Sequence, residues 1–286
     1  FLVALAVLLL AMARPTAPLT LPWASSTIML AIDVSLSMRV QDVKPTRMVA
    51  AQEAARSFLQ ELPPNIEVGL VTFAGNAQTV QRVTSDRPSL IGAIDAIQMQ
   101  TGTAVGSAIV LCLAELFPEQ GIDLEEMSLG PRRKARSLDQ KARPAPPPIQ
   151  PVQPGSYDAA AIILLSDGRR TTGVDTLEAA KMAADRGIRI YAVGLGTIDG
   201  RASAGEGMAM YLQLDETTLR EVARMTGGEY HHAGTAEALR SVYQTLGSRL
   251  QVRTRETEFT ALLALLAAVL MGVASALSLL WFARIA

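Results

Sequence analysis

One cysteine, two histidines and no surplus of either charge leave few chemistries open to this chain of 286 residues. Cys112 alone excludes an internal disulfide, and within "AIVLCLAEL" it reads as a small apolar packing residue. Lysine plus arginine number 26 against 27 acids, so no overall field points to nucleic acid or to an acidic surface. The histidines are neighbours, His231 and His232. Adjacent strand residues face opposite ways, so they read as a surface pair rather than a shared site. No G-x-S-x-G elbow is present, which removes the serine hydrolases. The turn after the first buried strand lacks the dinucleotide-binding glycines, and "GLGTID" puts Asp199 where the third glycine is needed, after the wrong strand. An aspartate phosphotransferase would want a second acid two residues after Asp33, where Ser35 stands. The chain therefore reads as a binding protein, not an enzyme.

Aromatics make up only 5% of the residues, so the hydrophobic share of 49% lies in Ala, Leu and Val. Part of that excess is at the two ends. Phe259 to Ala283, "FTALLALLAAVLMGVASALSLLWFA", carries no charge. At about 1.5 Å per residue it exceeds a hydrocarbon core of about 30 Å, so a C-terminal transmembrane helix is expected over 259–283. Trp281 suits an interfacial anchor, and Ala268, Gly272 and Ala276 form a weak small-residue stripe on which another helix could close. Residues 1–13, "FLVALAVLLLAMA", are apolar but short. They read as the tail of a truncated spanning helix, or as a signal-peptide core with a cleavage-like "AMA" before Arg14. With no basic leader in view, the first reading is favoured.

Between the ends, strand-like and helix-like stretches alternate over about 26–250. Strands are expected at Thr27–Ile32, Glu67–Phe73, Ala160–Leu165 and Arg189–Val193, with a weaker one near Glu229–His231. Their Ile, Val, Leu and Ala run with little alternation, as in strands covered on both faces. Helices are expected at about 46–61, 87–98, 104–116, 176–186, 216–226 and 235–250. Asp215 and Thr235 suit N-caps, and Gly187 suits a C-cap. The fold class that follows is α/β: a doubly wound, mostly parallel central sheet with helices on both faces. One segment departs from this, about 118–157, where no period holds. Its "RPAPPPIQPVQP" blocks ladder and helix bonding, so a basic, partly polyproline-like insertion is expected. It is a solvated loop or, in a sharper reading, a tether to anionic lipid or an acidic partner. Because it precedes a strand, it should hang from the sheet end opposite the strands' carboxyl ends.

In such a sheet, ligands sit outside the carboxyl ends of the strands, where strand order reverses. Asp33 ends the first strand there in "TIMLAIDVSLSM", with Ser35 and Ser37 following on one side of an extended turn. "IILLSDG" brings Asp167 to the same edge, and "QTGTAVGSAI" brings Thr103. Two carboxylates and three hydroxyls are hard oxygen donors. Without His or Cys they suit Mg²⁺ or Mn²⁺, with Ca²⁺ an option, rather than zinc. So sparse a charge set leaves a coordination position open, which a carboxylate from another molecule would fill.

"DVSLSM", "TGTAVG" and "LLSDG" together resemble the metal-ion-dependent adhesion site of von Willebrand factor A domains. The pattern Asp-x-Ser-x-Ser, then Thr, then Asp maps onto Asp33, Ser35, Ser37, Thr103 and Asp167 without a gap. "DVSLSMRVQDVKPTRMVAAQEAARSF", "GLVTFAG" and "YAVGLGT" are similar to bacterial membrane-anchored members of the aerotolerance (Bat) type, often paired with MoxR-type AAA+ ATPases. The resemblance implies binding without turnover. Ser35 and Ser37 would ligate directly and Asp33 largely through water or a serine hydroxyl, while Thr103 and Asp167 would exchange direct and water-mediated contact. A partner's Glu or Asp would complete the shell, and the last helix, about 235–250, would shift in response. The implied partners are an acidic protein, a MoxR-type ATPase, other membrane A-domain proteins and membrane lipid, with no nucleic acid. The alternative is a channel-associated or chelatase-like subunit; one apolar segment without an intramembrane charge argues against a pore made by this chain alone. The expected location is the bacterial inner membrane. Arg14, Arg249, Arg253 and Arg255 against Arg284 favour a cytoplasmic domain. The resemblance leans to the extracytoplasmic side.

Overall fold

The structure, a computed structural model, describes residues 2–12, 16–18, 27–124, 127, 150–167, 169–196, 214–235, 237–241, 256–258 and 260–282. It divides into two units, one of 25–250 and one that joins 1–24 to 251–286. In the larger unit the chain runs β1 (Thr27–Asp33), α1 (Arg47–Glu61), β2 (Glu67–Phe73), β3 (Ala77–Thr84), α2 (Arg87–Asp95) and α3 (Val105–Leu116). It continues as β4 (Ala160–Ser166), α4 (Thr176–Asp185), β5 (Arg189–Leu195), α5 (Glu216–Thr226) and β6 (Tyr230–Ala233). A further helical stretch covers 237–241; the rest of the helix expected to 250 lies outside the described residues.

These strands form a six-stranded sheet in the order β3-β2-β1-β4-β5-β6. All neighbours are parallel except β2 and β3. The reason lies in the side chains. Ile28, Leu30 and Ile32 of β1 join one buried cluster with Met48, Ala51, Ala55, Phe58 and Leu59 of α1. Met29 and Ala31 of the same strand join a second cluster with Val105, Ala108, Ile109 and Cys112 of α3 and Ala179, Ala180 and Ala183 of α4. A strand sandwiched this way buries every residue past its first, so its sequence shows no alternation.

β3 is the strand that was not expected. Its exposure alternates residue by residue, with Gln78, Val80 and Arg82 facing out. "AQTVQRVT" is an edge strand, antiparallel to β2 with a register shift between Val68 and Leu70, and it needs apolar groups on one face only. The expected helix 87–98 ends at Asp95 and the weak last strand lies at Tyr230–Ala233. Both proposed N-caps form: Asp215 Oδ1 accepts from the Thr218 N–H at 3.1 Å, and Thr235 Oγ1 from that of Ala238 at 3.1 Å. Gly187 follows α4 at φ +72, the left-handed conformation that ends a helix.

The described flanks of the insertion leave and re-enter at the amino ends of the strands. The Thr27 N–H donates to the Ala159 carbonyl and that of Tyr157 to Gly187. Residues 128–149 of the insertion lie outside the described residues.

In the smaller unit, helix Leu2–Met12 packs on helix Thr260–Phe282, and strand Thr16–Pro18 pairs antiparallel with Glu256–Glu258. The less exposed positions of the long helix are Leu263, Ala267, Leu270, Ala274 and Ser278, one stripe at helical spacing. The stripe Ala268, Gly272, Ala276 faces outward instead. Among the described residues no helix is long and apolar enough to cross a membrane.

Candidate metal centre

The order in which strands are added to the sheet reverses between β1 and β4, which run parallel. From β1 it proceeds outward to β2 and β3; from β4 it proceeds the other way to β5 and β6. The crevice at their carboxyl ends is where such folds bind ligands, and Asp33 and Asp167 flank it. Parallel pairing sets Ile32 opposite Leu165, so Asp33 and Ser166 are neighbours across the ladder.

Asp33 is fully buried. Its Oδ1 accepts from the Ser35 N–H at 2.9 Å, and its Oδ2 accepts from Ser166 Oγ at 2.7 Å. Burial, and then the neighbouring Asp167 charge, push its carboxyl up to about 7 against the pull of those hydrogen bonds. Ser35 bridges to Gln100 as the chain leaves β1. A 3₁₀ turn at Leu36–Arg39, not the extended stretch expected, brings Ser37 Oγ back to 2.8 Å from Ser35 Oγ.

Thr103 reaches the same edge through backbone ties. The Gln100 N–H donates to the Val34 carbonyl at 2.8 Å and that of Gly75 to Thr101 at 2.8 Å. The Thr103 carbonyl accepts from the N–H groups of Thr171 (2.9 Å) and Thr172 (3.3 Å), and its own N–H donates to Thr171 Oγ1 at 2.8 Å. Two glycines allow this closeness. Gly102 sits at φ +84 with the position of a Cβ 2.9 Å from the Gly75 Cα, and a Cβ on Gly106 would overlap the Val174 carbonyl. Asp167 is 2% exposed; its Oδ1 accepts from the Arg169 N–H at 3.3 Å and its carbonyl from Asp215 at 2.8 Å. Gly168 lies outside the described residues.

Three distant segments thus meet at one rim, with Asp33, Ser35, Thr103 and Asp167 buried and Ser37 half-buried. Two buried carboxylates that repel each other, beside three hydroxyls, fit a hard divalent cation. Among the described residues no group of three or more His, Cys, Asp or Glu could hold a metal; this set relies on hydroxyls for its majority.

Ser166 and the pair Asp42–Arg47 escaped the sequence reading. Ser166 carried a readable signal, a hydroxyl closing the apolar run "AAIILL" beside an aspartate. Arg47 carried none, because an arginine opening a helix ordinarily faces water; here its guanidinium is fully buried.

A doubly wound sheet with an Asp-x-Ser-x-Ser strand end, a distant threonine and a second aspartate at one edge defines a von Willebrand factor type A domain. The family profile for that domain matches residues 28–138, taking in Asp33, Ser35, Ser37 and Thr103 and ending inside the insertion. The chain belongs to the UPF0353 protein family. It is 33% identical over 266 residues to a UPF0353 protein of Mycobacterium leprae, covering 91% of this chain and 71% of that one. With a UPF0353 protein of Mycobacterium tuberculosis it shares 34% over 251 residues, and there it spans 66% of the relative's length. Among solved structures it is similar to BatB from Bacteroides thetaiotaomicron, at 25% identity and TM-score 0.55, covering 79% of this chain and 98% of that one. An aerotolerance-related membrane protein from Bacteroides fragilis shares the fold at 23% identity and TM-score 0.55, with the same coverage.

Proposed function

We propose that this domain holds a divalent cation, Mg²⁺ or Mn²⁺ by donor chemistry, and uses it to grip an acidic side chain of a partner protein. Ser35, Ser37 and Thr103 would supply hydroxyls and Asp33 and Asp167 carboxylates. The bound ion would supply a positive charge with an unfilled position, and a partner Glu or Asp would complete it. The observation that supports this reading is the joining of the three segments by backbone hydrogen bonds, from Gln100 to Val34 and from Thr171 and Thr172 to Thr103. The role is recognition without turnover.

The larger reading is an anchored scaffold of the bacterial inner membrane that works with a MoxR-type AAA+ ATPase and other membrane A-domain proteins. The charge-free Phe259–Ala283 stretch supports the anchor, and similarity to BatB supports the grouping. Calorimetry with Mg²⁺ and Mn²⁺ on the full chain, wild type against Asp33→Ala, tests the site. Affinity capture with and without chelator tests the partner. Heat from wild type alone, and a partner lost on chelation, are the expected results; equal heats from both proteins overturn the reading.

A further inference from the structure

One buried charge beside the rim has no part in ligating an ion. The Arg47 side chain is 0% exposed, and Asp42 grips one edge of its guanidinium, with Nε to Oδ1 at 2.8 Å and Nη2 to Oδ2 at 2.6 Å. Its third nitrogen, Nη1, lies 3.8 Å from Asp167 Oδ2, within ionic range but beyond a hydrogen bond. Glycine at 196, with φ +130, is required for the guanidinium to fit, since a Cβ there would run into it.

Burying this pair is costly, and two apolar side chains of the same volume would commonly serve the fold as well or better. The guanidinium therefore calls for another explanation, and its surroundings supply one. Asp42 holds one edge of the guanidinium, and Nη1 faces the site carboxylate of Asp167. A cation that binds Asp167 directly must draw that oxygen away from Arg47.

We propose that Arg47 is the internal counter-cation of this site: it competes with the divalent ion for Asp167, so that the site stays assembled when empty and binds its ion reversibly. Arg47 is a positioning residue in this account, acting through Asp167 and touching neither ion nor partner. The proposal rests on the cation-site reading above.

The test is ion affinity and ion-free stability together, measured on the full chain with Mg²⁺ and Mn²⁺ as the probes. The double variant Arg47→Met/Asp42→Asn removes both charges of the ion pair together. It should bind the ions about tenfold more tightly than wild type, the scale on which one neighbouring charge acts on a buried carboxylate. It should also melt lower than wild type without ion, with the gap narrowing at saturation, since an ion that binds more tightly stabilises more. Arg47→Lys keeps the charge and should bind within about threefold of wild type. A pair that only braces the fold would lower melting equally with and without ion and leave affinity unchanged or weaker. That result, or tenfold tightening by Arg47→Lys as well, overturns the proposal while leaving the cation site standing. Wild type that binds neither ion overturns both.

Discussion

The two rims of the sheet are made of the same strands and differ in where their charges lie. At the amino rim the chain closes on itself. Val152 and Tyr157 donate their N–H groups to the Asp185 and Gly187 carbonyls at 3.0 Å, and Phe117 meets Tyr157 edge to face at 5.5 Å. Arg186 spends its donors on Gln120 and the Met182 carbonyl, and Arg189 pairs with Asp158 at 2.8 Å where both side chains see solvent. At the carboxyl rim, by contrast, Asp33, Asp42, Asp167 and Arg47 are all withdrawn from water. One rim satisfies its polar groups locally; the other accumulates charge that only a cation or another charge can balance. In a low-dielectric setting that imbalance is what a binding site requires and what a merely structural edge avoids.

The sharpest way to break the contrast is Asp33→Ala, which should weaken Mg²⁺ or Mn²⁺ binding by more than about 100-fold, beyond what outer partners of a metal site usually cost. Retained affinity on titration would mean that the carboxyl rim is as inert as the amino one. Next in size is Gly106→Ala. Its methyl must displace the backbone at Val174 and Asp175, so a loss of about 1–3 kcal/mol is expected in denaturant titration, with weaker ion binding as the 171–175 loop shifts. Ser166→Ala removes one hydrogen bond to Asp33; affinity should fall about tenfold with the fold intact by circular dichroism. At the amino rim, Asp158→Asn should cost less than about 1 kcal/mol and fade further in salt, with ion affinity unmoved. Smallest of all, Cys112 should stay unlabelled by a thiol reagent in the native protein. Burial, and then the Glu115 charge, hold its thiol well above the ordinary range.

Much of this was legible in order along the chain. Four buried strands, five helices, Asp215 and Thr235 as caps, and the strand-end aspartates are legible because a strand covered twice must be apolar throughout, and a carboxylate ending such a strand is conspicuous. β3 stayed hidden because "AQTVQRVT" buries one face only, and an alternating polar edge strand reads much like a loop. Ser37 meets Ser35 through a 3₁₀ turn where extended chain is expected, because the turn depends on packing that the local sequence does not mark.

Local composition therefore determined which residues are oxygen donors, which strands are buried and where the punctuation falls, since hydrophobic burial and capping act over a few residues at a time. Tertiary structure alone decided that Gln100 hydrogen-bonds to Val34, that Thr103 is held by Thr171 and Thr172, and that Arg47 turns inward to stand between Asp42 and Asp167. Those contacts join groups far apart in the chain, and their energies depend on distances and dielectric surroundings that come into being only when the sheet is assembled.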